Sequence, residues 1–130
     1  MAYVLVVDDE GDSREFLSRF LSRMGHQVGC AEDGQDALLK LIEGRPDALV
    51  LDIRMPRIDG VGLLEIMRSY LRWNALPVVV LSAHATPEQL RMARDMGVQH
   101  IFHKASFELT DLAKVIDDVT GRQANSLPNN

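Results

Sequence analysis

Four short apolar runs of this 130-residue chain each end at polar side chains suited to phosphoryl chemistry. Asp8 and Asp9 follow the first run, Asp52 the second, Ser82 the third and Lys104 the fourth. If these runs are parallel strands of one sheet, their carboxyl ends lie along one edge, where open α/β sheets bind ligands. Three carboxylates, one hydroxyl and one ammonium would then share one crevice, which suits a divalent cation and a phosphoryl group.

The chemistry of this set follows from its charges. Clustered carboxylates repel one another, and their pKa values rise unless they share a cation. An all-oxygen set with few protein ligands favours Mg²⁺, with Mn²⁺ as a substitute. A carboxylate beside the metal is a nucleophile toward phosphorus. Lys104 adds positive charge and Ser82 can donate to a phosphoryl oxygen, and phosphoryl transfer needs little beyond positioning and charge neutralisation.

Amphipathic stretches separate the apolar runs and predict the elements that position these groups. The predicted strands lie at 3–7, 27–31, 48–52, 77–81 and 99–103. The predicted helices lie at 12–24, 34–43, 61–72, 87–96 and 107–120, with Phe16, Leu17, Phe20, Leu21, Met24, Leu41, Ile42, Met67 and Leu71 among their inward residues. Five strand–helix units with right-handed crossovers predict an α/β, doubly wound parallel sheet with helices on both faces.

Local signals mark several helix ends. Asp33 has the character of an N-cap. Thr86 precedes Pro87 and is followed three residues later by Gln89, the pattern of a capping box with proline at the first helical position. Gly25 is placed to end the first helix in a left-handed conformation.

Composition bounds the class of protein. The length fits one domain, predicted at 1–121, and the polar segment 122–130 reads as a disordered tail or a truncated linker. A net charge of −5 argues against nucleic-acid binding, and no apolar run approaches the roughly 20 residues of a membrane span. A single cysteine and the absence of a basic, apolar leader lead us to expect a cytoplasmic protein.

A resemblance to a known family rests on these strand ends and on two adjoining motifs. Met55-Pro56 and Asp59-Gly60 follow Asp52, and Ala83 follows Ser82. Together with the acidic pair and the lysine, they resemble a response-regulator receiver domain of two-component signalling over about residues 3–120. Any one element is common, but the whole set in this order is specific. The resemblance implies a flavodoxin-like (βα)5 fold with strand order 2-1-3-4-5.

The resemblance also implies a cation site. Asp9 would bind Mg²⁺ directly and Asp8 largely through water. Asp52 and the backbone carbonyl of Arg54 would complete the protein ligands.

The implied activity is that of a timed switch, not of an enzyme acting on a separate substrate. Asp52 would accept a phosphoryl group from the phosphohistidine of a sensor histidine kinase or phosphotransfer protein, and Ser82 and Lys104 would hold the phosphoryl oxygens. Slow hydrolysis of the acyl phosphate would end the signal. The output would go to a downstream protein target or to a C-terminal effector domain absent from this chain, with no direct nucleic-acid or membrane binding by this domain.

Two positions depart from the family pattern. Ala105 stands where the family usually has a proline after the lysine, often with a cis peptide bond. A cis bond before a non-proline costs about 2.5–4 kcal/mol, so we expect either a trans bond or a strained site. Ile101 stands where the family tends to place an aromatic switch residue. Phe102 is adjacent, but neighbouring residues of a strand face opposite sides.

Three other functions compete with the switch. A small flavin carrier would cradle the FMN phosphate after the first strand, where segment 8–12 instead presents four acids. A magnesium-dependent phosphatase with an aspartate nucleophile typically has a second aspartate two residues later, where this chain has Arg54. A phosphorylation-independent interaction module with the receiver fold is the remaining alternative, and the complete set of acids, hydroxyl and lysine argues against it.

Overall fold

Five parallel strands form a single sheet in the computed structural model, which describes residues 2–121. The strands are β1 (Tyr3–Val7), β2 (Gln27–Ala31), β3 (Ala48–Leu51), β4 (Val78–Ser82) and β5 (His100–His103). Their order is β2-β1-β3-β4-β5, which confirms the predicted order 2-1-3-4-5. The predicted tail at 122–130 lies outside the described residues.

Helices cover both faces of the sheet. They are α1 (Gly11–Arg23), α2 (Gly34–Glu43), α3 (Gly60–Arg68), α4 (Pro87–Asp95) and α5 (Leu109–Val119). Alternate residues of the central strands point to opposite faces, so the core divides into two clusters, one under α2, α3 and α4 and the other under α1 and α5. None of the helices in the described residues has the length and apolar character of a membrane-spanning segment.

The predicted end signals are confirmed. Asp33 accepts a hydrogen bond from the backbone N–H of Asp36 at 2.7 Å and so caps α2. Thr86 and Gln89 form the reciprocal capping box of α4. Gly25 ends α1 with φ of 93°, a conformation that glycine adopts at little cost.

The third helix is shorter than predicted, and the inward place of Leu71 is wrong. The helix ends at Arg68, and the side chain of Leu71 is 90% exposed. Trp73 and Leu76 are buried in the core cluster under α2–α4 instead. The periodicity of α3 extends to Leu71, but Trp73 and Leu76, beyond the end of the helix, are the residues that enter the core.

Phe16 and Ile42 were also predicted to face inward, and both are mostly exposed, at 51% and 59%. In α1 the buried residues are Leu17 and Leu21, four positions apart. Each residue rotates the helix by about 100°, so a position next to a buried one already lies at the edge of the apolar stripe.

Candidate functional site

The structure brings the five predicted side chains together at the carboxyl edge of the sheet. Asp8 and Asp9 follow β1, Asp52 follows β3, Ser82 ends β4 and Lys104 follows β5. Backbone hydrogen bonds continue the parallel ladder beyond the strands, from Asp52 N to Val7 O at 2.9 Å and from Lys104 N to Ser82 O at 3.2 Å. These bonds fix the main chain that carries the functional groups.

A crevice of about 210 Å³ opens at this edge. Its lining combines four predicted site residues with three others, and consists of Asp9, Glu10, Asp52, Arg54, Ala83, His84 and Lys104. The reacting groups thus face a space reachable from solvent.

The carboxylate of Asp52 is buried and held on one side by a hydroxyl. Ser82 Oγ donates to Asp52 Oδ1 at 2.8 Å, and both residues are buried. The backbone N–H of Arg54 donates to the same oxygen at 3.3 Å. One oxygen of Asp52 is therefore positioned by two donors.

The ammonium of Lys104 occupies the centre of the acidic groups. Nζ lies 2.7 Å from Asp8 Oδ2, 3.1 Å from Glu10 Oε1 and 3.3 Å from Asp52 Oδ2. Burial works against its charge, but the hydrogen bond with Asp8 and the charges of Asp52 and Asp8 outweigh burial and raise the pKa of Lys104. The lysine is therefore a cation throughout the physiological pH range.

The pKa of Asp8 is raised, as expected for clustered carboxylates, but repulsion is not the main reason. Burial is the largest cause, and the charge of Asp52 is a smaller one. The hydrogen bond from Lys104 lowers the pKa and only partly offsets burial. Asp8 is thus an acid that a bound cation would help to keep ionised.

The donor set fits a hard divalent cation. One carboxylate oxygen from each of Asp8, Asp9 and Asp52 lies within 4.8 Å of the other two. Asp8 and Asp52 are buried, whereas Asp9 is exposed and leaves room for water. Mg²⁺ prefers carboxylate oxygens and retains several waters, so these residues suit it. A role for the backbone carbonyl of Arg54 stays a prediction.

Two further contributions were missed from sequence. Glu10 accepts from Lys104, which lowers the pKa of Glu10, and its backbone N–H donates to Asp8 Oδ1 at 2.9 Å. The Arg54 guanidinium donates to the backbone carbonyl of His84 at 3.0 Å and so links the loops after β3 and β4. Glu10 directly follows Asp8 and Asp9, so its place in the sequence could have indicated that it belongs to the site. No sequence pattern predicts the hydrogen bond between Arg54 and His84.

The two departures at β5 have clear structural outcomes. Ile101 pairs with Val80 and packs against the core cluster under α2–α4. Phe102 packs against the other cluster, with its ring centroid 6.4 Å from that of Phe107. The two residues thus face opposite sides, as predicted. The Lys104–Ala105 peptide bond is trans, like every other bond in the described residues.

Comparisons with known proteins agree with this geometry. The family model described as "Response regulator receiver domain" matches residues 4–117. The response regulator MprA of Mycobacterium avium is 40% identical over 109 residues, covering 84% of this chain and 46% of that protein. The gliding motility regulatory protein of Myxococcus xanthus is 32% identical over 117 residues, covering 90% of this chain and 15% of that protein. The chain therefore spans less than half the length of these two relatives.

A solved structure has a similar fold. The chemotaxis protein CheY4 of Vibrio cholerae superposes with a TM-score of 0.82 at 29% identity. The match covers 92% of this chain and 98% of that one.

Proposed function

This chain belongs to the response regulator receiver domain family of two-component systems, and we propose that Asp52 is its phosphoacceptor. The observation that carries the proposal is the position of the Asp52 carboxylate. It lies between the hydroxyl of Ser82 and the ammonium of Lys104, beside the carboxylates of Asp8 and Asp9.

In the transfer step, a carboxylate oxygen of Asp52 attacks the phosphorus of a phosphohistidine. A P–O bond forms as the P–N bond breaks, and the imidazole departs with the bonding electron pair. Ser82 and Lys104 hold the phosphoryl oxygens as charge builds on them. Transfer of this kind depends mainly on positioning and electrostatic stabilisation, which these fixed groups provide.

Asp9 and Asp52 would hold Mg²⁺ directly and Asp8 largely through water, with the backbone carbonyl of Arg54 completing the protein ligands and Mn²⁺ as a substitute metal. When bound, the metal supplies positive charge that neutralises the phosphoryl oxygens. Lys104, whose Nζ lies 3.3 Å from Asp52 Oδ2, would hold a phosphoryl oxygen beside the same carboxylate.

The aspartyl phosphate would act as a switch that slow hydrolysis resets. Its source would be a sensor histidine kinase or a phosphotransfer protein. Its output would go to a protein target or to an effector domain C-terminal to residues 1–121, in the cytoplasm. A receiver-like module that works without phosphorylation is the alternative, and it would not require Ser82, Asp52 and Lys104 to be aligned.

The proposal is tested by incubation with Mg²⁺ and acetyl phosphate, followed by intact mass measurement. The wild type should gain one phosphoryl group, and Asp52→Asn should gain none. Asp95→Asn is the matched control, because Asp95 is exposed on α4 and away from the crevice. A wild type that gains nothing, with acetyl phosphate and with a cognate kinase, refutes the proposal. An unchanged gain in Asp52→Asn refutes the assignment of the residue.

A further inference from the structure

The loop between β3 and α3, residues 52–59, contains a backbone conformation that is unusual for its residue. Arg57 has φ of 65° and is the sole non-glycine residue with positive φ among residues 2–121. Side chains other than glycine seldom adopt this conformation, because the β-carbon crowds the backbone. A conformation of this kind persists only where surrounding contacts impose it.

The side chain of Arg57 forms an ion pair with the start of α2. Arg57 donates to Asp33 Oδ2 from Nε at 2.9 Å and also from Nη2. Asp33 is buried, while its other oxygen caps α2 through Asp36. The bond from Asp36, then that from Arg57, lowers the pKa of Asp33 and keeps it ionised. Both donors share one oxygen of the buried carboxylate, so the contact is charge-assisted, although the Arg57 side chain itself is 57% exposed.

A backbone contact beside this ion pair leaves the loop little freedom. The N–H of Gly34 donates to the carbonyl of Ile58 at 3.2 Å. A β-carbon at Gly34 would lie 2.3 Å from that oxygen, so only glycine permits this approach. Two adjacent loop residues, Arg57 and Ile58, thus attach the loop to the start of α2.

The fixed loop leads back directly to the proposed site. Asp52 is the first residue of the loop and Arg54 the third, and the N–H of Arg54 donates to Asp52 Oδ1. We infer that Arg57 is a positioning residue for the cation site, acting through its ion pair with Asp33 to hold the β3–α3 loop in the conformation that presents Asp52 and the carbonyl of Arg54 to Mg²⁺. The inference rests on the proposed function, since it concerns the same metal site.

Arg57→Gly is the informative variant. Glycine accepts the positive φ without strain, so the variant folds, but it lacks the ion pair. Calorimetric titration with Mg²⁺ alone should give a Kd roughly 3- to 10-fold above that of the wild type. This loss is smaller than the one typical of removing a residue that hydrogen-bonds directly to a metal ligand. At saturating Mg²⁺, the rate of Asp52 labelling by acetyl phosphate should stay within about twofold of wild type, because the reacting groups are intact.

Two further variants assign the effect to the pair. Asp33→Asn keeps the cap of α2 but removes the charge, so its Kd should rise similarly, and the double variant should show no further rise. Arg57→Lys keeps a cation at the position and should recover part of the affinity. In metal-free protein, the amide of Gly34 should exchange faster in Arg57→Gly than in wild type, which reports loosening of the loop itself.

An unchanged Mg²⁺ Kd in Arg57→Gly overturns the inference, as does a full additional loss in the double variant. A lower labelling rate at saturating Mg²⁺ with an unchanged Kd overturns it too. Labelling of the wild type, measured on the same preparations, separates this result from a failure of the proposed function. A labelled wild type with unaltered Mg²⁺ affinity in the variant refutes only the role of Arg57.

Discussion

Gly60, the first residue of α3, has no room for a side chain, and its replacement by alanine should destabilise the protein. A β-carbon there would lie 2.6 Å from Ile53 Cα and 2.7 Å from Asp52 O. Both contacts are to backbone, and Ile53 is fully buried, so no side-chain rotation relieves them. The end of β3 or the start of α3 must move, and this movement would displace the main chain of the proposed phosphoacceptor.

The magnitude follows from two opposing effects. Overpacking of a fixed core costs typically about 1–3 kcal/mol, and contacts this short to backbone belong at the upper end. Alanine also restricts the unfolded chain, which returns about 0.4–1 kcal/mol. We expect a net loss of about 2 kcal/mol in the free energy of unfolding. For a chain of this length the melting temperature should fall by roughly 6–10 °C.

Gly44→Ala makes the same chemical change at a place without the constraint. Nothing lies within 4 Å of a β-carbon there, and the φ of −173° is extended backbone open to any residue. We expect this variant to lie within about 0.5 kcal/mol of wild type or to be slightly more stable. Urea denaturation followed by circular dichroism compares the three proteins. If Gly60→Ala unfolds at the same urea concentration as Gly44→Ala, the steric argument is wrong.

Three further results are expected. Burial raises the pKa of Asp8 above its ordinary value of 3.8, so without divalent metal the ionisation of Asp8 costs stability as the pH rises from 3.8 through that raised pKa. Over this range Asp8→Asn should gain stability relative to wild type. A constant difference in urea midpoints across that range contradicts this. Leu64→Ala should lower the free energy of unfolding by about 2–5 kcal/mol, because the side chain is fully buried. Leu71→Ala should lower it by about 0.5 kcal/mol or less, because Leu71 is 90% exposed. Equal losses in the two variants would contradict the packing described. Mg²⁺ at about 100 times its Kd for the wild type should stabilise that protein by about 2.7 kcal/mol, as measured by thermal unfolding. The same Mg²⁺ concentration should stabilise Asp9→Asn by less, and an equal stabilisation would exclude Asp9 as a ligand.

The site was largely predictable because parallel strands place consecutive strand ends at one edge. Asp52 and Ser82 are far apart in sequence, yet each directly follows or ends a buried apolar run, and their side chains meet at 2.8 Å. The central strands could be predicted from continuous apolar runs, because strands that are buried on both faces need no alternation of polar and apolar residues.

Sequence patterns failed where several apolar residues compete for the same core. Leu71 continues the periodicity of α3 but is exposed, whereas Trp73 and Leu76 belong to the core cluster under α2–α4. The pairing of Arg57 with Asp33 was equally out of reach. It depends on a positive φ inside a loop, and no local signal distinguishes an arginine held in that conformation from one exposed in an ordinary turn.

The departure from the family pattern at Ala105 is compensated locally. The N–H of Ala105 donates to His103 Nδ1 at 3.1 Å, and Ser106 N donates to His103 O at 3.1 Å. Proline has no N–H and could not make the first bond. Hydrogen bonds therefore stabilise the turn after β5 at the position where the family usually has a proline. Lys104 Nζ still contacts Asp8 Oδ2, at 2.7 Å.

No such replacement accompanies Ile101 among the described residues. Ile101 lines a cavity of about 200 Å³ together with Ser82, Ala83, Ala85, Leu90, Phe102 and His103. An aromatic ring moving into such a space could report the position of Ser82 to the surface, whereas the branched side chain of isoleucine is short and has few rotamers. The aromatic ring of Phe102 packs on the opposite face, beside Phe107. We therefore expect a change at Ser82 to reach the surface through the β4–α4 loop, which the hydrogen bond from Arg54 to the carbonyl of His84 joins to the loop after Asp52.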